Sequence, residues 1–514
     1  MLVFLMVLST LLINFIKCDL RLIDPIYPEF SKRDFNKTKM FSTSSPYTIQ
    51  EECTPIRVWL LSRHGSKVPS EDILENIEEH LEKIIQPILK KLYGDRNNAN
   101  FRKLKKNQQM YISRLLKWTN VLRSASHKEL NERGKVSIMN LGKRLNAKLK
   151  EFTTTLKKDE IEVLSAIEDR CVISARKFIG TFFEGDADDI MIPVAKYEDQ
   201  RLELVKPKSE DTKVNDSTKP GTLIDVEDLY FKLNCWKITK KIQLILFPQH
   251  IKDYVQNRHK VNDEIVRSMY YACVHGFYQY DASGNKTDAW CHLFDFDDLQ
   301  MFENMFDLQY YNKNGYHLES NRMLGNALTE DLQLFLMEPK GIRFKFFLGH
   351  TSNILSLITR FNLFRDEPKL SIDNIEKRMH RKWKSSYIVP FGSNIMAVVY
   401  DCGFVDFRVT IYLNEVPIEM EILRNGGVFK CIKCPLKDII DLINTFEVSK
   451  RPERLTTLEQ DQIKRDGKEK KMKKKKLARE AEIVRKFHET LDIRAKKVYD
   501  EDETYEDEIE DKLK

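Results

Sequence analysis

The stretch Ile56-Arg-Val-Trp-Leu-Leu-Ser-Arg-His-Gly-Ser-Lys-Val-Pro69 decides how the rest of the chain is read. Residues 56–61 form an apolar run of the length expected for a buried strand. The run delivers Arg63-His64-Gly65 at its end, and Pro69 stiffens the exit. A histidine can act as a nucleophile toward phosphorus, and the guanidinium beside it can hold phosphate oxygens in a two-pronged grip. The glycine lets the backbone turn sharply. A tripeptide arises by chance in any long chain, so its weight comes from whatever else converges on it.

Working outward, residues 71–95 have the apolar spacing of a long helix, and 96–160 are lysine-rich and mostly helical. Residues 161–180 read as strand, turn and helix, with Arg170 just past the strand. Residues 342–349 form a second strong strand that ends at His350, with a helix from about 353 and strands at 395–400 and 405–413. The strands leading to Arg63-His64, Arg170 and His350 are each followed by a helix. That order predicts an α/β fold, a doubly wound and mostly parallel sheet that gathers remote residues at its carboxyl ends. Residues 226–335 are helical and aromatic-rich, which predicts an inserted, mainly α-helical cap, and 206–225 read as an exposed loop. The resulting division is a core of 51–185 and 336–449, a cap of 186–335, an extended arm over 19–50 and a charged tail over 450–514.

The 514 residues call for one large or two ordinary domains, and 42% hydrophobic content is that of a globular chain. A net charge of +7 is modest for this length, so no nucleic-acid partner is expected. Met1 to Ile16 is almost wholly apolar and sits where a secretory signal peptide (residues 1–18) would, with an uncleaved anchor as the other reading. Sequons at Asn36, Asn215 and Asn285 fit a secretory route, ending in the endoplasmic reticulum lumen, at the cell surface or outside the cell. Without Cys18, eight cysteines remain, at 53, 171, 235, 273, 291, 402, 431 and 434, an even number that suggests disulfides. Cys431-Ile-Lys-Cys434 is half of a zinc pattern with no second half, so it reads as a local disulfide or two buried thiols. In the tail, the lysines of Lys468–Lys476 could contact acidic lipid or another polyanion, although such charge blocks are usually a solvated helix or disorder.

Phosphoryl transfer to histidine needs a neutral ring nitrogen in line with the leaving oxygen. It also needs cations around the equatorial oxygens and a proton donor for the alcohol. His64 is the candidate nucleophile, Arg63, Lys67 and Arg170 are candidate oxygen clamps, and His350 stands ready to stabilise charge from the other side.

Arg63-His64-Gly65-Ser66-Lys67-Val68-Pro69 resembles the Arg-His-Gly-x-Arg-x-Pro signature of the histidine acid phosphatases, branch 2 of the histidine phosphatases. Further segments resemble the multiple inositol polyphosphate phosphatase subgroup. They include Phe41-Ser-Thr, Leu116-Lys-Trp-Thr-Asn120, Asp169-Arg170 with Ser174-Ala175 and Phe178, and Trp290-Cys291 through Asp298. Asp307-Leu-Gln-Tyr-Tyr311 with Gly315-Tyr316, Gly349-His350, Tyr387-Ile-Val-Pro390 with Ser393-Asn394, and Cys434-Pro-Leu436 complete the set. It runs in family order over residues 40–447. The resemblance implies a sheet core with an inserted helical domain and a metal-independent phosphomonoesterase needing no cofactor. His64 would become phosphohistidine, Arg63 and Arg170 would clamp phosphate, and His350 would be the second pocket histidine. Its implied substrates are small anionic phosphate esters: inositol hexakisphosphate, other inositol polyphosphates and 2,3-bisphosphoglycerate.

Two departures fall on these positions. Lys67 stands where the signature has a second arginine, keeping the charge but losing the planar fork. After the second histidine the family has His-Asp or His-Ala-Glu, whereas this chain has His350-Thr351-Ser352-Asn353, with no carboxyl group. Two functions follow. One is a phosphatase whose proton comes from a carboxylate elsewhere or from the substrate; the other is a catalytically impaired protein that binds inositol polyphosphates or other polyanions.

Overall fold

A computed structural model describes residues 53–94, 99–122, 128–184, 190–204, 213–215, 223–247, 261–276, 289–338, 340–424 and 426–446. All belong to a unit that ends at Lys450, and a second unit spans Arg451–Lys514. The signal-like run, the arm over 19–50, the sequons at Asn36 and Asn285 and the charged tail lie outside the described residues.

The expected α/β class holds. The central sheet contains β1 (Thr54–Arg63), β2 (Ile161–Ser165), β3 (Phe344–Gly349), β4 (Asn394–Asp401), β5 (Phe407–Leu413), β6 (Val416–Pro417) and β7 (Lys433–Pro435). Its order is β7-β5-β4-β1-β3-β2, with β6 on the side of β5. The three strands that lead to the candidate site residues are parallel, β1 with β3 and β3 with β2. From β1 outward the sheet turns antiparallel, through β4, β5 and then β6 and β7. The short link between Asp401 and Phe407 forces the antiparallel β4–β5 pair, since a parallel return needs a crossover of a dozen residues or more. Val58 to Leu61 are at most 1% exposed, the mark of a strand covered on both faces.

Helices α1 (Glu132–Lys148) and α2 (Asp169–Phe182) pack on each other, α2 directly after β2. Helix α3 (Asp263–Gly276), helix α4 (Phe296–Asn314) and helix α5 (Asn326–Met337) follow, and α6 (Thr351–Arg360) leaves the end of β3. The helix expected over 71–95 is a run of three pieces, Glu71–Ile77, a π-helical Glu78–Ile85 and Gln86–Tyr93. Two hairpins, Lys213–Asn215 with Leu223–Asp225 and Met420–Arg424 with Gly427–Cys431, were not foreseen.

Apolar side chains gather in two clusters. The first surrounds the sheet and includes Ile138, Leu141, Phe178, Phe182, Leu332, Phe335 and Ile354. The second joins Ile77 through Leu122 to Val226 through Leu308 and reaches Ile375 and Phe391. The helical layer therefore draws on the segment after β1 as well as on residues after 226. The expected core and cap boundaries remain a proposal about which pieces fold as units.

Among the described residues three disulfides fasten the fold, Cys53–Cys402, Cys273–Cys291 and Cys431–Cys434, so the CxxC pair is a local crosslink. Cys171 and Cys235 are free and buried. Among the described residues, no helix is long and apolar enough to cross a membrane.

Candidate active site

Parallel register brings the strand ends together: Arg63 of β1 lies opposite Gly349 of β3, so His64 and His350 leave adjacent strands at the same level. Backbone bonds fix this edge, from His64 N–H to the Gly349 carbonyl at 3.1 Å and from Ala166 N–H to the Leu348 carbonyl at 2.8 Å. Arg63 and Gly392 N–H groups likewise bind Ser393 and His64 carbonyls at 2.8 and 3.1 Å. The two imidazole centroids are 5.5 Å apart and nearly perpendicular.

His64 is 3% exposed. Its Nδ1 lies 2.8 Å from the Gly65 carbonyl oxygen. A carbonyl only accepts, so Nδ1 carries the proton and Nε2 keeps its lone pair. Burial, then the charges of Arg63, His350 and Arg170, hold the ring well below its ordinary range, against a smaller upward pull from the Gly65 bond. The imidazole is therefore held toward its neutral form, as a nucleophile must be.

Gly65 is not one of the left-handed glycines, so the sharp-turn reading gives way to a packing reason. A Cβ there would lie 2.4 Å from the Gly134 carbonyl oxygen, and one at Gly134 would lie 2.1 Å from the Ser66 carbonyl oxygen. Two glycines let the loop lie directly on the start of α1. Asn131 seals the contact by accepting from Gly134 N–H and Ser66 Oγ, both at 2.7 Å.

Arg63 donates from Nη1 to the Val389 carbonyl, and its guanidinium lies 4.1 Å from the Phe391 ring centroid. Phe391 also faces His64 at 5.6 Å and belongs to the second apolar cluster, so the site sits on the seam between the two clusters. Arg170 lies in the first turn of α2, which is anchored by Ser174 Oγ donating to the Arg170 carbonyl at 2.7 Å and accepting from Gly65 N–H at 3.2 Å. Lys67 pairs in a bridge with Leu130, and its charge acts on buried His275 of α3. The structure therefore brings Arg63, His64, Arg170 and His350 together, and directs Lys67 toward the helical side.

Glu168 was missed as an individual residue. It is the N-cap of α2, and its Oε2 accepts from His350 Nε2 at 2.7 Å while Oε1 accepts from Arg170 Nη2 at 3.1 Å. Burial raises this carboxyl, but the hydrogen bond and charge of His350 and the charge of Arg170 outweigh it and hold it at about 2. Glu168 is thus an anion, and it keeps a proton on the His350 nitrogen that faces it. The signal available in the sequence was an acid two residues before a candidate clamp, at the end of a strand that must neighbour β3.

Asn353 caps α6 by accepting from His350 N–H at 2.7 Å. Gly349 permits this, since a Cβ there would lie 2.6 Å from Asn353 Oδ1. Thr351 and Ser352 occupy the first turn of α6. N–H groups in a first turn lack intrahelical partners and favour an anion. The arrangement offers one uncharged nucleophilic nitrogen in a pocket with fixed cations and a helix N-terminus, which suits a phosphoryl group.

Residues 56–414 match the family model described as histidine phosphatase superfamily (branch 2). Multiple inositol polyphosphate phosphatase 1 of Drosophila melanogaster is 30% identical over 186 residues, 35% of this chain and 37% of the relative. Its human counterpart is 28% identical over 202 residues, 36% and 41% of the two chains. The chain thus spans less than half the length of these two relatives. The thiamine-repressible acid phosphatase pho4 of Schizosaccharomyces pombe is 23% identical over 72% of this chain and 76% of its own. Among solved structures, the D. castellii phytase superposes with a TM-score of 0.55 at 16% identity, covering 78% and 81% of the chains. Apo multiple inositol polyphosphate phosphatase of Bifidobacterium longum gives 0.52 at 13% identity over 80% and 96%, a likeness of fold. With the signature strand, the second histidine and the intervening arginine all inside the matched span, this chain belongs to branch 2 of the histidine phosphatase superfamily.

Proposed function

We propose that the chain is a phosphomonoesterase that passes a phosphoryl group from an anionic ester to His64 and then to water. The observation that carries this reading is the tautomer of His64, with Nδ1–H on the Gly65 carbonyl and the Nε2 lone pair left free in a pocket where Arg63, Arg170 and His350 act on the ring. Nε2 forms a bond to phosphorus while the ester P–O bond breaks in line with it. Arg63, Arg170 and the first turn of α6 hold the equatorial oxygens, with Lys67 at the rim. His350, doubly protonated beside the Glu168 anion, passes one proton to the leaving alkoxide and is left a neutral imidazole, in place of the acid absent at Thr351 and Ser352. In the second step the pair accepts a proton from water as the oxygen attacks the phosphohistidine, and the imidazole leaves.

Similarity to the inositol polyphosphate phosphatases, and to a B. longum member solved with phosphate, supports an inositol polyphosphate substrate such as inositol hexakisphosphate. A compartment along the secretory route is supported by three disulfides, which persist in oxidising surroundings.

One observation favours the second reading, a polyanion binder without turnover. Glu168 is ionised far below neutral pH and cannot itself be the proton donor. Assays with nitrophenyl phosphate and inositol hexakisphosphate separate the two. The enzyme reading expects phosphate release from both that vanishes in His64→Ala; tight binding of inositol hexakisphosphate with no release from either would establish the binder.

A further inference from the structure

We propose that Glu168, Cys171 and His350 form a binding site for a divalent cation of the zinc class, and that occupancy switches the pocket off. One donor atom from each lies within 4.8 Å of the others. Cys171 Sγ is 3.9 Å from His350 Nδ1 and 4.0 Å from Nε2, and the Glu168 oxygen is 2.7 Å from Nε2. Sulfur, imidazole nitrogen and carboxylate oxygen are the donors zinc prefers, at ~2.0–2.3 Å, which places tetrahedral ligands about 3.2–3.7 Å apart. Reaching that geometry takes a spreading of the histidine–carboxylate contact and a closure of about half an ångström between sulfur and imidazole. The partly exposed Glu168 side chain can supply most of it by rotation.

The framework is suited to hold such an ion. Glu168 and Cys171 are three residues apart across the N-cap and first turn of α2, so both point from one side of a single helix. His350 comes from the neighbouring strand, whose end is tied to β2 by the Ala166–Leu348 backbone bond. Glu168 uses Oε2 toward His350 and keeps Oε1 on Arg170, the outer contact that orients a carboxylate ligand. Cys171 is outside the three disulfides and fully buried.

Binding is balanced as follows. The Cys171 S–H bond breaks and its proton leaves to solvent, while the sulfur electron pair forms the bond to the cation. His350 binds as a neutral imidazole: the proton on its Nε2 leaves to solvent while Nδ1 keeps one, and the freed Nε2 lone pair goes to the cation. Thiolate and carboxylate offset both positive charges of the ion. Three protein ligands leave a fourth position for water or phosphate. With His350 and Glu168 taken, the leaving alkoxide has no proton source, so turnover stops.

The binding claim is independent of the phosphatase reading, whereas the inhibition claim rests on it, and the experiment separates them. Metal-free full-length protein is titrated with Co2+ alone, and a sulfur-to-cobalt charge-transfer band in the near ultraviolet is recorded. In parallel, Zn2+ is titrated into the hydrolysis of an alkyl phosphate such as glycerol 2-phosphate, whose alkoxide needs a proton to leave. Wild type should show the band; Cys171→Ser should lack it, keep its metal-free turnover and need at least about tenfold more Zn2+ for half inhibition. Cys171→Ala, matched to wild type by thermal melting, repeats the comparison. Absence of the band in wild type overturns the site. Equal Zn2+ inhibition of wild type and both variants overturns the switch. If no turnover is found at all, the phosphatase reading and the switch fall together, and the cobalt band still decides the site.

Discussion

Replacing Glu168 by glutamine keeps the shape of the side chain and removes its charge. Holding this carboxyl at about 2 instead of the ordinary 4.5 corresponds to ~3.4 kcal/mol at full strength, from 1.36 kcal/mol per pH unit. The side chain is 39% exposed, and solvent screening reduces the coupling to roughly 1–2 kcal/mol. Loss of that coupling from a proton-delivery step is worth ~5- to 30-fold in rate. The loss should depend on the leaving group. An inositol alkoxide needs a proton to depart, whereas a nitrophenolate departs without one. Glu168→Gln should therefore lower kcat on an inositol phosphate by ~5- to 30-fold and on nitrophenyl phosphate by less than ~3-fold. Steady-state kinetics on the two esters at one pH give both numbers. An equal loss on both esters, or a gain in rate, would refute the proton-delivery role. A gain would mean that the carboxylate merely occupies the pocket in place of phosphate.

Two further outcomes follow from single residues. Lys67→Arg restores a planar fork at the signature position and should raise kcat/KM on nitrophenyl phosphate by ~3- to 10-fold, whereas an unchanged value would remove Lys67 from the phosphate clamp. His275 is held at about 3 by burial and, after it, by the charge of Lys67. The unfolded chain therefore takes up a proton below pH 6.5 that the native state refuses, so stability is complete above 6.5 and declines toward pH 3. Between pH 8 and pH 5, wild type should lose ~2 kcal/mol more than His275→Gln in denaturant titrations, and parallel losses would contradict the buried neutral ring.

The parts of this site that are legible in sequence are those that punctuate an apolar run. Arg63-His64 and His350 each close a strand, and Arg170 follows a third, so the α/β class and four site residues can be read together. Glu168 lies 182 positions from His350 and is tied to it only by the parallel neighbours β2 and β3. An acid sought after the second histidine cannot reveal one delivered by another strand. Phe391 and the Val389 carbonyl escape for a similar reason, since a backbone oxygen has no sequence signature and an apolar ring reads as core. The π-helical turn over Glu78–Ile85 keeps an apolar stripe close to that of an α-helix, so spacing does not distinguish the two. The role of Gly65 needed the position of Gly134, which no local pattern supplies.

The central claim is that His64 Nε2 takes the phosphoryl group, and covalent trapping tests it most directly. Full-length protein is mixed with a 32P-labelled phosphate ester, quenched in alkali within milliseconds, digested and mapped. The account predicts an alkali-stable, acid-labile label on the peptide carrying His64, absent from His64→Ala. Phosphate release without any such label, or with release undiminished in His64→Ala, would contradict it.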